Sequence, residues 1–222
     1  MVAARDEAAT LPETLRALHA ISDLSHLIVS DDGSCDPTSQ IARTLGAEVV
    51  RASRAGHSAG KGHALRSGLL RARELAPDVV LFADADLGRS AHRLATLLAA
   101  LDEVHPVAVA AFPPATAKGG FGLVKTYARR AIARRTGYAP AEPLSGQRAL
   151  LTPALAELPG IAPGFGAEVG MTLDLLARGI KPLEIPLPLS HRPTGRNLAG
   201  FAHRAHQGLD ILRALNGARI PW

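Results

Sequence analysis

Short apolar runs alternate with helix-like segments through the first half of this chain, and three of those runs end on carboxylates. "MVAA" leads into Arg5-Asp6-Glu7, "HLIVS" into Asp31-Asp32-Gly33-Ser34, and "DVVLFADAD" carries Asp84 and Asp86 where its apolar stretch ends. "AEVVRA" and "PVAVAAF" are two further runs of the same kind. Strands that alternate with helices predict a mostly parallel sheet covered by helices. The intervening segments carry helix signals. Thr10 and Glu13 in "TLPETLRALHA" have the spacing of a capping box. Asp36 and Pro37 read as the cap and first turn of the next helix, and a glycine-flanked Lys61 opens the third.

After Pro113 the alternation loosens. "GGFGLVKTYARRAIARR" reads as a glycine turn and a basic amphipathic helix, and "PLSGQRALL" as a short extended piece. "GFGAEVGMTLDLLARG" is a glycine-led helix, "KPLEIPLPLSHRP" a proline-punctuated strand, and the tail one more helix. With 222 residues, 47% of them apolar, and no internal repeat or low-complexity linker, the chain is expected to form one domain over residues 1–222. Residues 1–112 would bind a nucleotide and residues 113–222 a second substrate.

Charge narrows the partners. The net charge of +5 is spread along the chain, and five Phe, two Tyr and one Trp are too few to build an aromatic platform for single-stranded nucleic acid. Small anionic ligands are the expected partners. Peripheral contact with an anionic membrane and a homodimer are left open. No uninterrupted apolar run of about 18 residues is present to cross a bilayer. "VAARDEAATL" lacks the features of a signal peptide. The single Cys35 has no internal partner for a disulfide, which fits a cytoplasmic location; it reads as a packed small residue and not as a nucleophile.

Ligands of open α/β sheets sit at the carboxyl ends of the strands, which is where the three acidic groups fall. In extended chain, residues two apart project to one side, so Asp84 and Asp86 can converge on one hard cation. Mg²⁺ or Mn²⁺, completed by water and substrate phosphates, is the expected ion. The pattern alone is weak, and solvated carboxylates in a strand-end turn would look the same. "SAGKGHALRSG" places Lys61 at a helix start, where phosphate approach is favoured. It lacks Walker spacing, and an ordinary lysine in a flexible loop is its plain alternative.

"ARDEAATLPETL", "IVSDDGSCDPT", "GKGHAL" and "LFADADLG", in this order, resemble nucleotide-sugar glycosyltransferases of the GT-A (Rossmann-like) fold. "GGFGLVKTYARRAI", "PLSGQRALL", "GFGAEVGMTLD" and "SHRPTGRNLAGF" narrow the resemblance to glucosyl-3-phosphoglycerate synthases and related family 2-like enzymes. That resemblance implies a UDP-sugar donor, a hexose (glucose by family), a divalent metal and retention of configuration. It implies that Glu7 and Asp32 hold the ribose and uracil, with Ala4, Arg5, Gly33 and Ala85 beside them. Lys61 would lie next to the nucleotide, and Asp84 would flank the ribose and, with Asp86 and His191, the metal. Glu168 would touch the sugar hydroxyls. Gly120, Phe121, Ser145, Gly146 and Arg192 would line the substrate sites, and Asp86, Glu168 and Lys61 would carry catalysis. Were the reaction inverting, Glu168 would be the candidate base.

This chain departs from the resemblance in three places. Its first strand has fewer apolar residues, so the natural start is expected upstream. Cys35 stands where threonine is usual. Phe121-Gly122-Leu123 replaces an arginine and threonine that grip the acceptor phosphate, which implies an acceptor with an apolar or ring-shaped portion, a small molecule or lipid-linked, with Lys125 compensating in part. A polyprenyl-phosphate glycosyltransferase with "YARRAIARR" facing anionic lipid is the runner-up. A nucleotidyltransferase is disfavoured, because "ARDEAATL" is not a glycine-rich, arginine-bearing loop. A non-catalytic nucleotide-binding module is the alternative from another class.

Overall fold

A computed structural model describes residues 1–112, 121–190 and 208–222; the side chains of Phe121, Gly122 and Leu123 are not described. In chain order the strands are β1 (Val2–Ala4), β2 (Ile28–Asp32), β3 (Glu48–Ser53), β4 (Val79–Asp84), β5 (Val107–Ala111), β6 (Arg148–Leu151), β7 (Gly160–Ile161), β8 (Leu183–Pro186) and β9 (Ile220–Pro221). The helices are α1 (Leu11–His19), α2 (Thr38–Thr44), α3 (Lys61–Glu74), α4 (Ala95–Ala99), α5 (Phe121–Thr136), α6 (Thr152–Ala156) and α7 (Ala167–Ala177). A helical segment over 208–215 is α8.

Seven strands form one sheet in the order β3-β2-β1-β4-β6-β5-β8. All run the same way except β6, which pairs antiparallel with β4 on one side and β5 on the other. The expected mostly parallel sheet flanked by helices is therefore present. The short extended piece in "PLSGQRALL" is this reversed strand, and the proline-punctuated segment supplies β8 at the far edge. β1 is only three residues long yet hydrogen-bonded on both sides, with Val2 opposite Val29 and Ala83.

The two faces of the sheet follow from side-chain alternation. In β4, Leu81 and Ala83 pack with α1 residues Leu11, Leu15 and Leu18, while Val80 and Phe82 pack with Leu65 and Leu69 of α3 and Met171 of α7. A buried side chain of this kind stabilises the fold by roughly 1.5–3 kcal/mol. A third apolar cluster joins α5, α7 and α8 through Ala128, Ile132, Leu173 and Ile211.

Three local expectations turn out differently. The Thr10–Glu13 capping box is not formed: Thr10 Oγ1 donates to the Glu7 carboxylate, and Glu13 accepts from Arg89 Nε at 2.9 Å. α1 begins instead on the Glu7 carbonyl, which accepts the N–H groups of Thr10 and Leu11. Cys35 is exposed and not packed, and its backbone N–H donates to Asp6 Oδ1 at 2.7 Å. Asp36 accepts the Thr38 N–H at 3.0 Å, but the N-cap position of α2 belongs to Pro37, one residue later than expected. The β7–β9 pair of two-residue strands carries no sequence signal of its own.

Candidate active site

The reversal of β6 builds the site. Running against β4, it sets Arg148 opposite Phe82, so the residues just before it arrive at the carboxyl end of β4. There Gln147 Nε2 donates to Asp84 Oδ2, and the Gly146 backbone lies so close that an added Cβ would stand 2.8 Å from Asp84 Oδ1 and 2.9 Å from Lys61 Nζ. Only glycine fits there without displacing these charges.

Lys61 is the first residue of α3. Its ammonium lies 2.8 Å from Asp84 Oδ1 and 2.7 Å from Glu168 Oε1. Burial alone would push Lys61 toward neutrality, but Asp84 and Glu168 outweigh it and hold its pKa far above the ordinary lysine value. Glu168 sits in the first turn of α7, where the helix dipole favours an anion. Behind this group Arg148 is 1% exposed, donating to the Ser145 carbonyl at 2.7 Å and the Glu168 carbonyl at 3.4 Å. Its burial lowers its pKa, opposed by Glu168 and Asp84. Two carboxylates thus face the Lys61 ammonium at the junction of the N- and C-terminal halves, with Arg148 buried behind them. Gln147 and Arg148 were not picked out from sequence, where such a pair looks solvent-facing.

Strand geometry ends at Asp84; Ala85 and Asp86 lie in a turn. The period of two that would set both aspartates on one side does not extend through them. Thr14 of α1 pins that turn, donating to the Ala85 carbonyl at 2.8 Å and accepting the Gly88 N–H at 2.9 Å. Lys61 and Gln147 each engage one Asp84 oxygen, and Asp86 follows in the turn just beyond the strand. Among the described residues no three His, Cys, Asp or Glu side chains gather to form a metal cage. A lone carboxylate ligand suits Mg²⁺ or Mn²⁺, which retain water and substrate phosphate oxygens.

The loops after β1 and β2 are stitched together. Asp6 N–H donates to Ser34 Oγ at 3.0 Å, Glu7 N–H to Thr38 Oγ1 at 2.8 Å, and Ala8 N–H to Asp36 Oδ2 at 3.0 Å. Ala4 is buried at the end of β1 and Arg5 is exposed beside it. Asp31 is absorbed by Ser34 and Ser39. Asp32 accepts from Ser53 Oγ at 2.7 Å, from Ser58 Oγ, and from the Ala59 and Gly60 N–H groups, each at 2.9 Å. Gly33 adopts φ +76°, and a Cβ there would meet the His57 carbonyl at 2.1 Å. The structure thus brings Lys61, Asp84, Ser145, Gly146 and Glu168 together. Gly120, His191 and Arg192 lie outside the described residues, as does the side chain of Phe121.

The sequence profile described as Glycosyl transferase family 2 matches residues 1–147. Glucosyl-3-phosphoglycerate synthase from Mycobacterium tuberculosis, crystallised with Mn²⁺, UDP and glucosyl-3-phosphoglycerate, superposes with TM-score 0.75 at 28% identity, over 99% of this chain and 79% of that one. Its complex with Mn²⁺ and UDP-glucose gives TM-score 0.73 at 26% identity, over 99% and 78%. The chain is also 27% identical over 175 residues to Glycosyltransferase AglJ of Haloferax volcanii, 77% of this chain but 56% of that relative, so it spans little more than half the relative's length.

Proposed function

The chain belongs to glycosyl transferase family 2, and on that premise we propose that it moves a hexose, glucose by resemblance, from a UDP-sugar to an acceptor hydroxyl with Mg²⁺ or Mn²⁺. One observation carries the reading: the Lys61 ammonium sits at a helix start at the carboxyl end of the sheet, between Asp84 and Glu168. That is a place for a diphosphate joined to a sugar, with its nucleoside over the β1 and β2 loops.

Each residue then has a task. Lys61 meets the diphosphate as a point charge. Asp86 would hold the metal, with His191 as a further ligand from the C-terminal half, and Asp84 keeps Lys61 in place. The bound metal would neutralise charge developing on the leaving diphosphate. Glu168 orients the sugar hydroxyls, held as an anion-side partner of Lys61 and backed by Arg148. Retention of configuration follows the synthase resemblance.

The acceptor is the finer part of the reading. Lys125, expected to compensate in part for the missing phosphate grip, is ion-paired with the buried Glu142. An acceptor that is not a small dianion but carries an apolar or ring-shaped part is supported by Phe121-Gly122-Leu123, which stand where the resemblance has the arginine and threonine of the phosphate grip. A lipid-linked acceptor is the second reading, favoured by α5, where Arg129, Arg130, Arg134 and Arg135 are all exposed. No helix of the described residues is long and apolar enough to cross a membrane.

UDP release from UDP-glucose with Mn²⁺ tests the proposal, run against 3-phosphoglycerate, neutral sugars and polyprenyl phosphate. Metal-dependent transfer to an acceptor other than 3-phosphoglycerate is expected. Saturable transfer to 3-phosphoglycerate would overturn the acceptor reading, and binding of UDP without any turnover would leave a non-catalytic module.

A further inference from the structure

We infer that Asp32 is a positioning residue for Lys61, acting through the segment Ser58–Gly60 that it ties to the end of β2. This rests on the donor reading above only for its consequence in catalysis; the tie itself is a property of the chain.

The resemblance gives Asp32 to the uracil base. Its carboxylate, however, already accepts four hydrogen bonds, from Ser53, Ser58, Ala59 and Gly60. A carboxylate offers about four lone-pair sites, and here three go to the segment Ser58–Gly60 and the fourth to Ser53 at the end of β3. That segment has little else to hold it. Residues 54–59 are all exposed, so apolar burial does not anchor them, while Asp32 itself is 5% exposed. Charge-assisted bonds to a buried carboxylate are roughly twice as strong as neutral ones, and they are the fastening.

What the fastening positions is Lys61. Gly60, whose N–H is held by Asp32, immediately precedes it, with φ +93°. On the other side Gly62 packs so tightly on the 162–164 segment that a Cβ would lie 2.1 Å from the Ala162 carbonyl. Lys61 is thus clamped between a polar anchor on β2 and a steric anchor ahead of α7. From that position its ammonium reaches Asp84 and Glu168 together. Loosening the polar anchor frees one side of the clamp and lets the ammonium leave the two carboxylates.

Amine labelling of Lys61 in the ligand-free protein tests this, read by mass spectrometry after limiting acetic anhydride. In the unaltered protein Lys61 should label slowly, being held by two carboxylates. Asp32→Asn should speed its labelling by roughly tenfold or more, the change that corresponds to losing a single charge-assisted bond. Ser58→Ala, at an exposed position where folding is not at risk, should move it in the same direction by less. Binding of pyrophosphate with Mg²⁺, a probe with no base, should weaken in parallel. Unchanged Lys61 labelling in both variants, with their melting temperatures intact, would overturn the inference. Because no donor is present, that result would leave the UDP-sugar reading standing; absence of UDP binding in the unaltered protein would instead strike that reading and leave the labelling result valid.

Discussion

Lys61 Nζ lies 2.7 Å from Glu168 Oε1 and 2.8 Å from Asp84 Oδ1, so one ammonium on α3 joins the end of β4 to the first turn of α7. The contact crosses from the N-terminal half of the chain to the C-terminal half. Its strength is a matter of pairing and not of burial alone, since removing one partner of a buried pair leaves an uncompensated charge.

Lys61→Gln and Glu168→Gln should therefore be strongly coupled. Each single change should cut transfer by at least about a hundredfold, as removal of one preorganised electrostatic group commonly does. In denaturant unfolding, a double-mutant cycle on the pair should return a coupling of roughly 0.5–3 kcal/mol. Additive effects on both stability and rate would mean that the contact does not matter.

Gly146→Ala tests the close approach at the β6 entrance. The added methyl would stand 2.8 Å from Asp84 Oδ1 and 2.9 Å from Lys61 Nζ, inside the charged group itself. Overpacking of this kind costs about 1–3 kcal/mol. Activity should fall further than stability, because the displaced atoms are those of the site. A variant with full turnover would show that Asp84 and Lys61 need not hold this geometry.

Acid stability reports on Asp32. Burial pushes its carboxyl up, but hydrogen bonds from Ser58, Ser53, Ala59 and Gly60 more than reverse this and bring it below the ordinary value of 3.8. A depressed folded pKa contributes stability that is present above the unfolded pKa and is lost as pH falls through the folded one. The melting-temperature advantage of the unaltered protein over Asp32→Asn should thus be level above about pH 5 and shrink only below the ordinary aspartate value. Lys61 has the opposite sense: its raised pKa keeps its contribution in full up to the ordinary lysine value of 10.5, so neutral-pH profiles should show no Lys61 limb. An advantage that vanishes between pH 7 and about pH 5 would contradict the Asp32 account.

Asp86→Ala should abolish metal-stimulated turnover while the fold persists, since Asp86 lies in a turn beyond the last residue of β4 and outside its ladder. Chelation with EDTA should do the same to the unaltered protein, with Mn²⁺ or Mg²⁺ restoring it. His191→Ala should raise the metal concentration for half-maximal activity while leaving uridine binding unchanged. Full turnover by the metal-stripped protein would remove the cation from the account.

Much of the fold was readable from the residues, and the exceptions have physical reasons. β2 and β4 stand out because each is an apolar run ending in acid. The role of "PLSGQRALL" in the sheet was not readable, because nothing in four residues reveals which way a strand runs or which neighbours it finds. That reversal hid Gln147 and Arg148 from a sequence reading, since their burial depends on β4 and β5 closing over them. The capping box failed for a different reason: Glu7 and Arg89, remote in pattern terms, competed for Thr10 and Glu13 and won. Asp84, Lys61 and Glu168 could be named from motifs, whereas their meeting at one ammonium is a tertiary fact.

Nucleotide-dependent melting tests the central claim most directly: UDP, GDP and ADP, each with and without Mn²⁺, on the unaltered protein and on Asp86→Ala. Ligand present at about a hundred times its Kd stabilises the native state by roughly 2.7 kcal/mol, a shift readily seen for a domain of this size. The account predicts that UDP with Mn²⁺ raises the melting temperature most, that omitting the metal removes most of the shift, and that Asp86→Ala loses the metal-dependent part. A larger shift with GDP or ADP, or a UDP shift indifferent to both metal and Asp86, would contradict it.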